Sequence, residues 1–188
     1  MVKFPDRFET ARLVIRMPVA ADRPYVFDYS SNEDVVRFLS FPQAKIEADT
    51  SPFLDKIVGL EQEADERHWA IQKKGQAGLI GMISLTRSHG MMLGYVLNFS
   101  EWGKGYTAEA AQPLRDWTLT ESGENRFWAV CDVENPQSAS VMKKLDMQHE
   151  GTLRNWIACP NLGGPARDCL VYSAINNPQQ TNSGGPRP

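Results

Sequence analysis

The 188-residue chain is poor in the groups that build redox frameworks and metal sites. It has 3 cysteines, Cys131, Cys159 and Cys169, an odd number at wide spacing. This argues against a disulfide framework and a cysteine-bound zinc ion, and it fits a reducing compartment. Basic excess is also missing: Lys and Arg total 20 against 23 Asp and Glu, for a net charge of -3. Binding a phosphate backbone calls for the opposite balance, so nucleic acid is not expected as a partner. No apolar run approaches the ~18 residues of a membrane span. The opening MVKFPDRFET carries no apolar core of a signal peptide. No internal repeat is visible. The expectation is a cytoplasmic domain without metal, membrane or nucleic-acid partners.

What is present is ordinary for a globular protein: 41% hydrophobic, 10% aromatic and 23% charged residues. A chain of this length buries roughly 70% of its unfolded surface, enough for one core without a staple. The end of the sequence is rich in Gln, Pro and Gly. One domain over residues 1–176 and a disordered tail over 177–188 are therefore expected.

Short β-branched or apolar runs predict strands over residues 12–16, 69–72, 79–85, 92–97, 127–133, 147–153 and 169–175. Helices are predicted after Asp22 and after Asn32, both read as N-caps. Further helices are predicted over 52–64, from about 107 to Gly123, and over 136–145. The acidic run over 61–66 reads as a solvated helix end. Pro113 falls inside a helix, where it removes a hydrogen bond, and a kink is expected there.

One strand–loop–helix segment holds most of the chemical information. Leu97-Asn98-Phe99 leads through Ser100-Glu101-Trp102-Gly103-Lys104-Gly105 into Tyr106-Thr107-Ala108-Glu109-Ala110. Paired glycines let the backbone turn tightly. The free N–H groups of the following helix turn then form an anion site suited to phosphate. No Lys-Ser or Lys-Thr follows at NTPase spacing, and the third glycine of a dinucleotide fingerprint is replaced by Ala108.

Residues 102–110 resemble the acetyl-CoA pyrophosphate loop of the GNAT superfamily of N-acetyltransferases. Downstream, Asn135-Pro136-Gln137-Ser138 resembles the same family's Asn-x-x-Ser segment. Thr10 to Arg16, Glu150 to Arg154 and Arg167 to Ser173 resemble the opening and ending of its RimJ/RimL branch. The similarity covers about Thr10 to Ile175, with the motifs in family order.

The resemblance implies an α/β (α+β) acyl-CoA N-acyltransferase fold. Its mixed, mostly antiparallel sheet of about seven strands is splayed at the CoA site, with helices on both faces. It implies acetyl-CoA as co-substrate and a primary amine as acceptor, either a protein N-terminus or a small molecule. It implies a monomer or homodimer. Leu97, Asn98 and Phe99 would run beside the pantetheine arm. Trp102, Gly103, Lys104, Gly105, Tyr106 and Thr107 would wrap the pyrophosphate. Asn135 would bond the pantetheine, and Lys144 or its neighbour Lys143 would approach the adenosine phosphates. Ser138 would protonate the departing thiolate, unless it only caps its helix. Phe41, Arg154 and Trp156 would line the acceptor.

Two departures stand out. Relatives commonly carry a glutamate just before the Gly94-Tyr95 pair, where this chain has Met92 and Leu93. Glu101 is the nearest carboxylate to the strand end and is the candidate base, His68 begins a neighbouring strand, and a water chain could serve instead. The missing glutamate also admits an alternative, a catalytically degenerate scaffold that binds acyl-CoA or a partner. Asp146 replaces a usual glycine, at a small expected cost in stability.

Overall fold

A computed structural model of the chain describes residues 3–59 and 65–176. The expected tail over 177–188 and residues 61–64 of the acidic run over 61–66 lie outside the described residues; the end of that run is not a helix end, since Glu66 opens a strand.

Eight strands form one sheet: β1 (Arg7–Glu9), β2 (Leu13–Arg16), β3 (Glu66–Lys73), β4 (Gly81–Arg87), β5 (Met91–Leu97), β6 (Arg126–Asp132), β7 (Gln148–Ile157) and β8 (Arg167–Ile175). Their order is β1-β2-β3-β4-β5-β6-β8-β7. Every neighbouring pair is antiparallel except β5 and β6, which are parallel. The eighth strand is β1, whose three residues are too few to show an alternating pattern in the sequence.

Among the described residues the α-helices are α1 (Arg23–Ser30), α2 (Glu33–Val36), α3 (Ser51–Gly59), α4 (Tyr106–Thr120) and α5 (Pro136–Lys144). Side chains alternate across the sheet, so each strand feeds two cores. On one face Trp69, Ile71, Ile83, Leu85, Phe127 and Ala129 pack with Ala110, Leu114 and Met142 of α4 and α5. On the other, Ala70 and Met82 pack with Val26, Tyr29, Val35, Leu54 and Ile57 of α1, α2 and α3. The expected helices on both faces are thus observed.

Asn32 caps α2, its Oδ1 accepting from the Asp34 and Val35 N–H groups. Asp22 does not cap α1. Its buried carboxylate instead accepts from Val19 N at 2.9 Å and from both terminal nitrogens of Arg16, at 2.8 and 2.7 Å. A charged partner outcompetes the helix end. Helix α4 runs as one element with Pro113 inside it.

Asp146 follows α5 with φ 54°, in the left-handed region where a Cβ costs about 1–2 kcal/mol. Asp146→Gly should raise the melting temperature by about 2–3 °C, for a gain of somewhat under 1 kcal/mol. A thermal melt showing no rise would refute that reading of the turn.

Candidate active site

Strands β5 and β6 are in register only at Met91 with Phe127 and Met92 with Trp128. Beyond that vertex they part, while each stays paired to its outer neighbour. Asn98 N donates to Ile80 O at 2.8 Å, which fixes the phase of the β4–β5 ladder. By alternation, Met92, Gly94 and Val96 turn their main-chain groups to β4, and Leu93, Tyr95 and Leu97 turn theirs into the cleft. Leu97 O is already used, accepting from Trp102 Nε1 at 2.8 Å. The Leu93 and Tyr95 main chain remains facing the opening.

At the open end stands the N-terminus of α4. Gly105 is its N-cap, at φ 81°, and no side chain caps the first turn. The orphan N–H groups of that turn are therefore presented to whatever lies in front of the helix. Gly103, at φ 74°, faces open space: a Cβ there would meet nothing within 4 Å. Both glycines serve left-handed backbone rather than tight packing.

The loop between them is clamped from outside. Arg12 Nε donates to Glu109 at 2.6 Å, Arg12 NH2 donates to Lys104 O at 3.1 Å, and its guanidinium lies 4.3 Å over the Tyr106 ring. Thr10 Oγ1 donates to the same carboxylate at 2.6 Å. Burial raises the Glu109 pKa, but the Thr10 and Arg12 bonds outweigh it and hold the group below the ordinary carboxylate value. Glu101 is buried beneath the loop, accepting from Lys73 at 2.8 Å and Lys104 at 3.0 Å. Burial pushes its pKa up and the two lysines push it further down. Arg12, Lys73 and Lys104 thus surround the loop with three cations against the two carboxylates.

Across the cleft, Asn135 caps α5 by accepting from Ser138 N at 3.1 Å. This leaves the Ser138 hydroxyl free of capping duty. It meets the Tyr95 hydroxyl at 2.6 Å, and Tyr95 also donates to Ser138 O at 3.1 Å. Burial pushes the Tyr95 phenol well above its ordinary value, so it stays protonated. An uncapped helix end, a cleft edged by main chain and a hydroxyl pair at its wall all lie on one side of the sheet.

The family described as "Acetyltransferase (GNAT) domain" matches residues 12–148, a span that includes every part of this cleft. The chain belongs to the GNAT acetyltransferase family. This acetyltransferase is 31% identical over 152 residues to the uncharacterized N-acetyltransferase YnaD of Bacillus subtilis (strain 168), covering 79% of this chain and 86% of that one. It is 34% identical over 122 residues to the ribosomal-protein-serine acetyltransferase of Escherichia coli (strain K12), covering 62% and 66%. That relative agrees with the RimJ/RimL-like resemblance. The solved GNAT-family acetyltransferase from Bacillus anthracis superposes with a TM-score of 0.79 at 28% identity, covering 90% of this chain and 98% of that one.

Other expected residues of the acetyltransferase sit less close to the cleft. Lys143 and Lys144 are in the last turn of α5, where cations suit the helix dipole. Lys144 lies about 13 Å along the axis from Asn135, since each residue rises 1.5 Å. It is exposed to solvent there. Phe99 is half exposed, tilted on Trp102 with centroids 5.0 Å apart. Asn98 bonds Ser100 through Oδ1 and Asp28 of α1 through Nδ2. Phe41 lies in the segment after α2, which the 159–164 loop grips. Asn161 Nδ2 donates to Val36 O and Phe41 O, both at 2.8 Å, and its Oδ1 accepts from Gln43 N at 2.8 Å. Arg154 and Trp156 are exposed on edge strand β7, and neither makes a side-chain hydrogen bond or ion pair with any described residue.

Sequence reasoning missed Arg12, Lys73, Tyr95 and Asn161 as site residues. Arg12 and Tyr95 stood inside quoted motifs, but their partners lie 97 and 43 residues away. Among the described residues, no group of three or more His, Cys, Asp or Glu is placed to hold a metal ion. No helix among them is long and apolar enough to cross a membrane.

Proposed function

We propose that the protein transfers the acetyl group of acetyl-CoA to a primary amine, a peptide N-terminus or a small molecule, by direct attack of the amine on the thioester. The observation that carries this reading is the uncapped α4 N-terminus at the mouth of the β5/β6 cleft. A helix end with free N–H groups and flanking cations fits a pyrophosphate. The Leu93 and Tyr95 main chain can bond an extended amide-containing arm as an added strand would. An N–H on that edge can also stabilise the oxyanion that develops at the thioester carbonyl. Asn135 retains its Nδ2 hydrogens for the same arm.

Direct transfer is favoured over a covalent acyl-enzyme. Burial pushes the Cys131 and Cys169 thiols up to about 11 and raises Cys159 as well, so none is a thiolate at neutral pH. Either hydroxyl can donate in the 2.6 Å bond; when the Tyr95 hydrogen goes to Ser138 Oγ rather than to Ser138 O, the serine hydrogen can turn to the departing sulfur. Glu101 is better assigned to holding the loop than to taking a proton, because two lysines occupy its oxygens. The three unpaired, buried cysteines support a reducing, cytoplasmic setting.

Thiol release from acetyl-CoA should be stimulated by at least one member of a panel of N-terminal peptides and polyamines. Tight acetyl-CoA binding without release on any amine would favour the alternative, a binding scaffold, for which the apolar Met92 is the motive. Absence of both binding and release would refute both readings.

A further inference from the structure

The incoming amine must lose a proton, and the cleft strand has no group to take it. Tyr95 and Ser138 occupy the α4/α5 side of β5, which leaves the amine the opposite side. There β5 presents Met92, Gly94 and Val96, none of them titratable. Three carboxylates near the cleft are held by cations, and Asp28 of α1 accepts from Asn98 Nδ2. Asp132 is held by Arg167. Glu150 is held by Arg126 at 2.8 Å and Ser173 at 2.5 Å, bonds that pull its pKa down to about 2. Glu101 is held by its two lysines.

The rows of the sheet lead to a different group. Gly94 pairs with Ser84 on β4, and Ser84 pairs with His68 on β3. Paired residues share a face, so the three lie in one file on the amine's side. Glycine leaves that file open: a Cβ at Gly94 would come within 2.7 Å of Ser84 Oγ, so the hydroxyl lies over the bare backbone. His68 stands about 10 Å from Gly94, two strand spacings of roughly 4.8 Å. In the next row, Met92 pairs with Thr86 and Thr86 with Glu66.

Glu66 Oε1 lies 2.7 Å from His68 Nε2. A carboxylate only accepts, so Nε2 carries the hydrogen and Nδ1 carries the lone pair. From α3, the Phe53 ring stands edge-on to the imidazole with centroids 5.6 Å apart, and Lys56 lies 3.9 Å from Glu66. Burial lowers the His68 pKa below its ordinary value; Glu66 works against this and Lys56 with it. The imidazole is neutral at neutral pH and ready to accept.

We propose that the amine proton leaves along this file, through Ser84 and bridging water, to His68 Nδ1, with Glu66 holding the ring. The ammonium N–H bond breaks and its electron pair stays on nitrogen. That pair attacks the thioester carbonyl, the C–S bond breaks with its pair going to sulfur, and the second proton lost from the nitrogen replaces the one Ser138 gives to the sulfur. The new imidazolium is balanced by Glu66 and later releases its proton to solvent. His68 acts through Ser84 and is a positioning residue in this scheme.

This inference rests on the acetyl-transfer reading, and its test separates the two. Without the relay, the bound ammonium loses its proton slowly, and the defect fades where the amine is already free in solution. For His68→Gln, kcat/KM should therefore fall about tenfold at pH 7 for an α-amine of pKa ~8, and further for an ε-amine of pKa ~10.4. For the α-amine the loss should shrink to under about twofold by pH 9. Acetyl-CoA affinity should be unchanged. Ser84→Ala should show the same pH pattern, and Glu66→Gln should move the acid limb to lower pH. Nitrogen NMR of the unaltered protein should show the Nε2–H tautomer of His68, whatever the turnover. A loss equal at all pH values, no loss at pH 7, or an Nδ1–H tautomer overturns the proposal alone. No thiol release by the unaltered protein with any amine overturns the acetyl-transfer reading and this proposal with it.

Discussion

Ser138→Ala lowers kcat by about 100-fold while leaving the acetyl-CoA dissociation constant within about threefold. General acid assistance contributes typically 10²–10⁴-fold, and a thiolate is a good leaving group, so the lower end is expected. The helix survives the substitution because Asn135, not Ser138, supplies the cap. Tyr95→Phe removes the other half of the pair and should cost about 10–100-fold in kcat. The two hydroxyls are 2.6 Å apart and act as a unit, so the double variant should be little worse than Ser138→Ala. Steady-state thiol release with a fixed amine measures all three. Multiplying losses would mean that the hydroxyls act separately. An unchanged kcat for Ser138→Ala would remove it from the chemistry.

Gly105→Val acts on binding instead. A β-branched residue at φ 81° is strained by more than the ~1–2 kcal/mol an ordinary side chain pays, so the loop shifts rather than tolerates it. The shift turns α4's first N–H groups away from the phosphate. A hydrogen bond to a charged group contributes about 1.5–3 kcal/mol, so losing two raises the dissociation constant for acetyl-CoA about 100-fold or more. The surrounding space is open, with Arg12 the nearest group at 3.7 Å, so the fold itself should persist. Calorimetric titration checks the affinity, and circular dichroism checks the fold. Native-like affinity in a folded variant would show that the glycine conformation is not needed.

The legible part of the site was its local part. The Gly103/Gly105 pair before a helix is a pattern the sequence itself displays, whereas Asn135 and Ser138 are singled out by their resemblance to the family's Asn-x-x-Ser segment. The Arg12 clamp and the Tyr95 hydroxyl depend on strand order and on which face each residue presents, which one sequence does not state. Asp22 shows the same limit in a helix cap: its pattern was correct, and Arg16 captured its carboxylate from the adjacent strand. Glu66 reads in the sequence as part of an acidic helix end; only the strand register places it beside His68 and aligns His68 with Ser84 and Gly94.

The most direct test follows the backbone amides of Tyr106, Thr107 and Ala108 by NMR while acetyl-CoA is added. Large, saturable shifts at these three, together with Leu93 and Tyr95 along the cleft, are the expected result. Saturable binding that leaves these amides unmoved and shifts residues elsewhere would contradict the placement of the pyrophosphate at the α4 N-terminus.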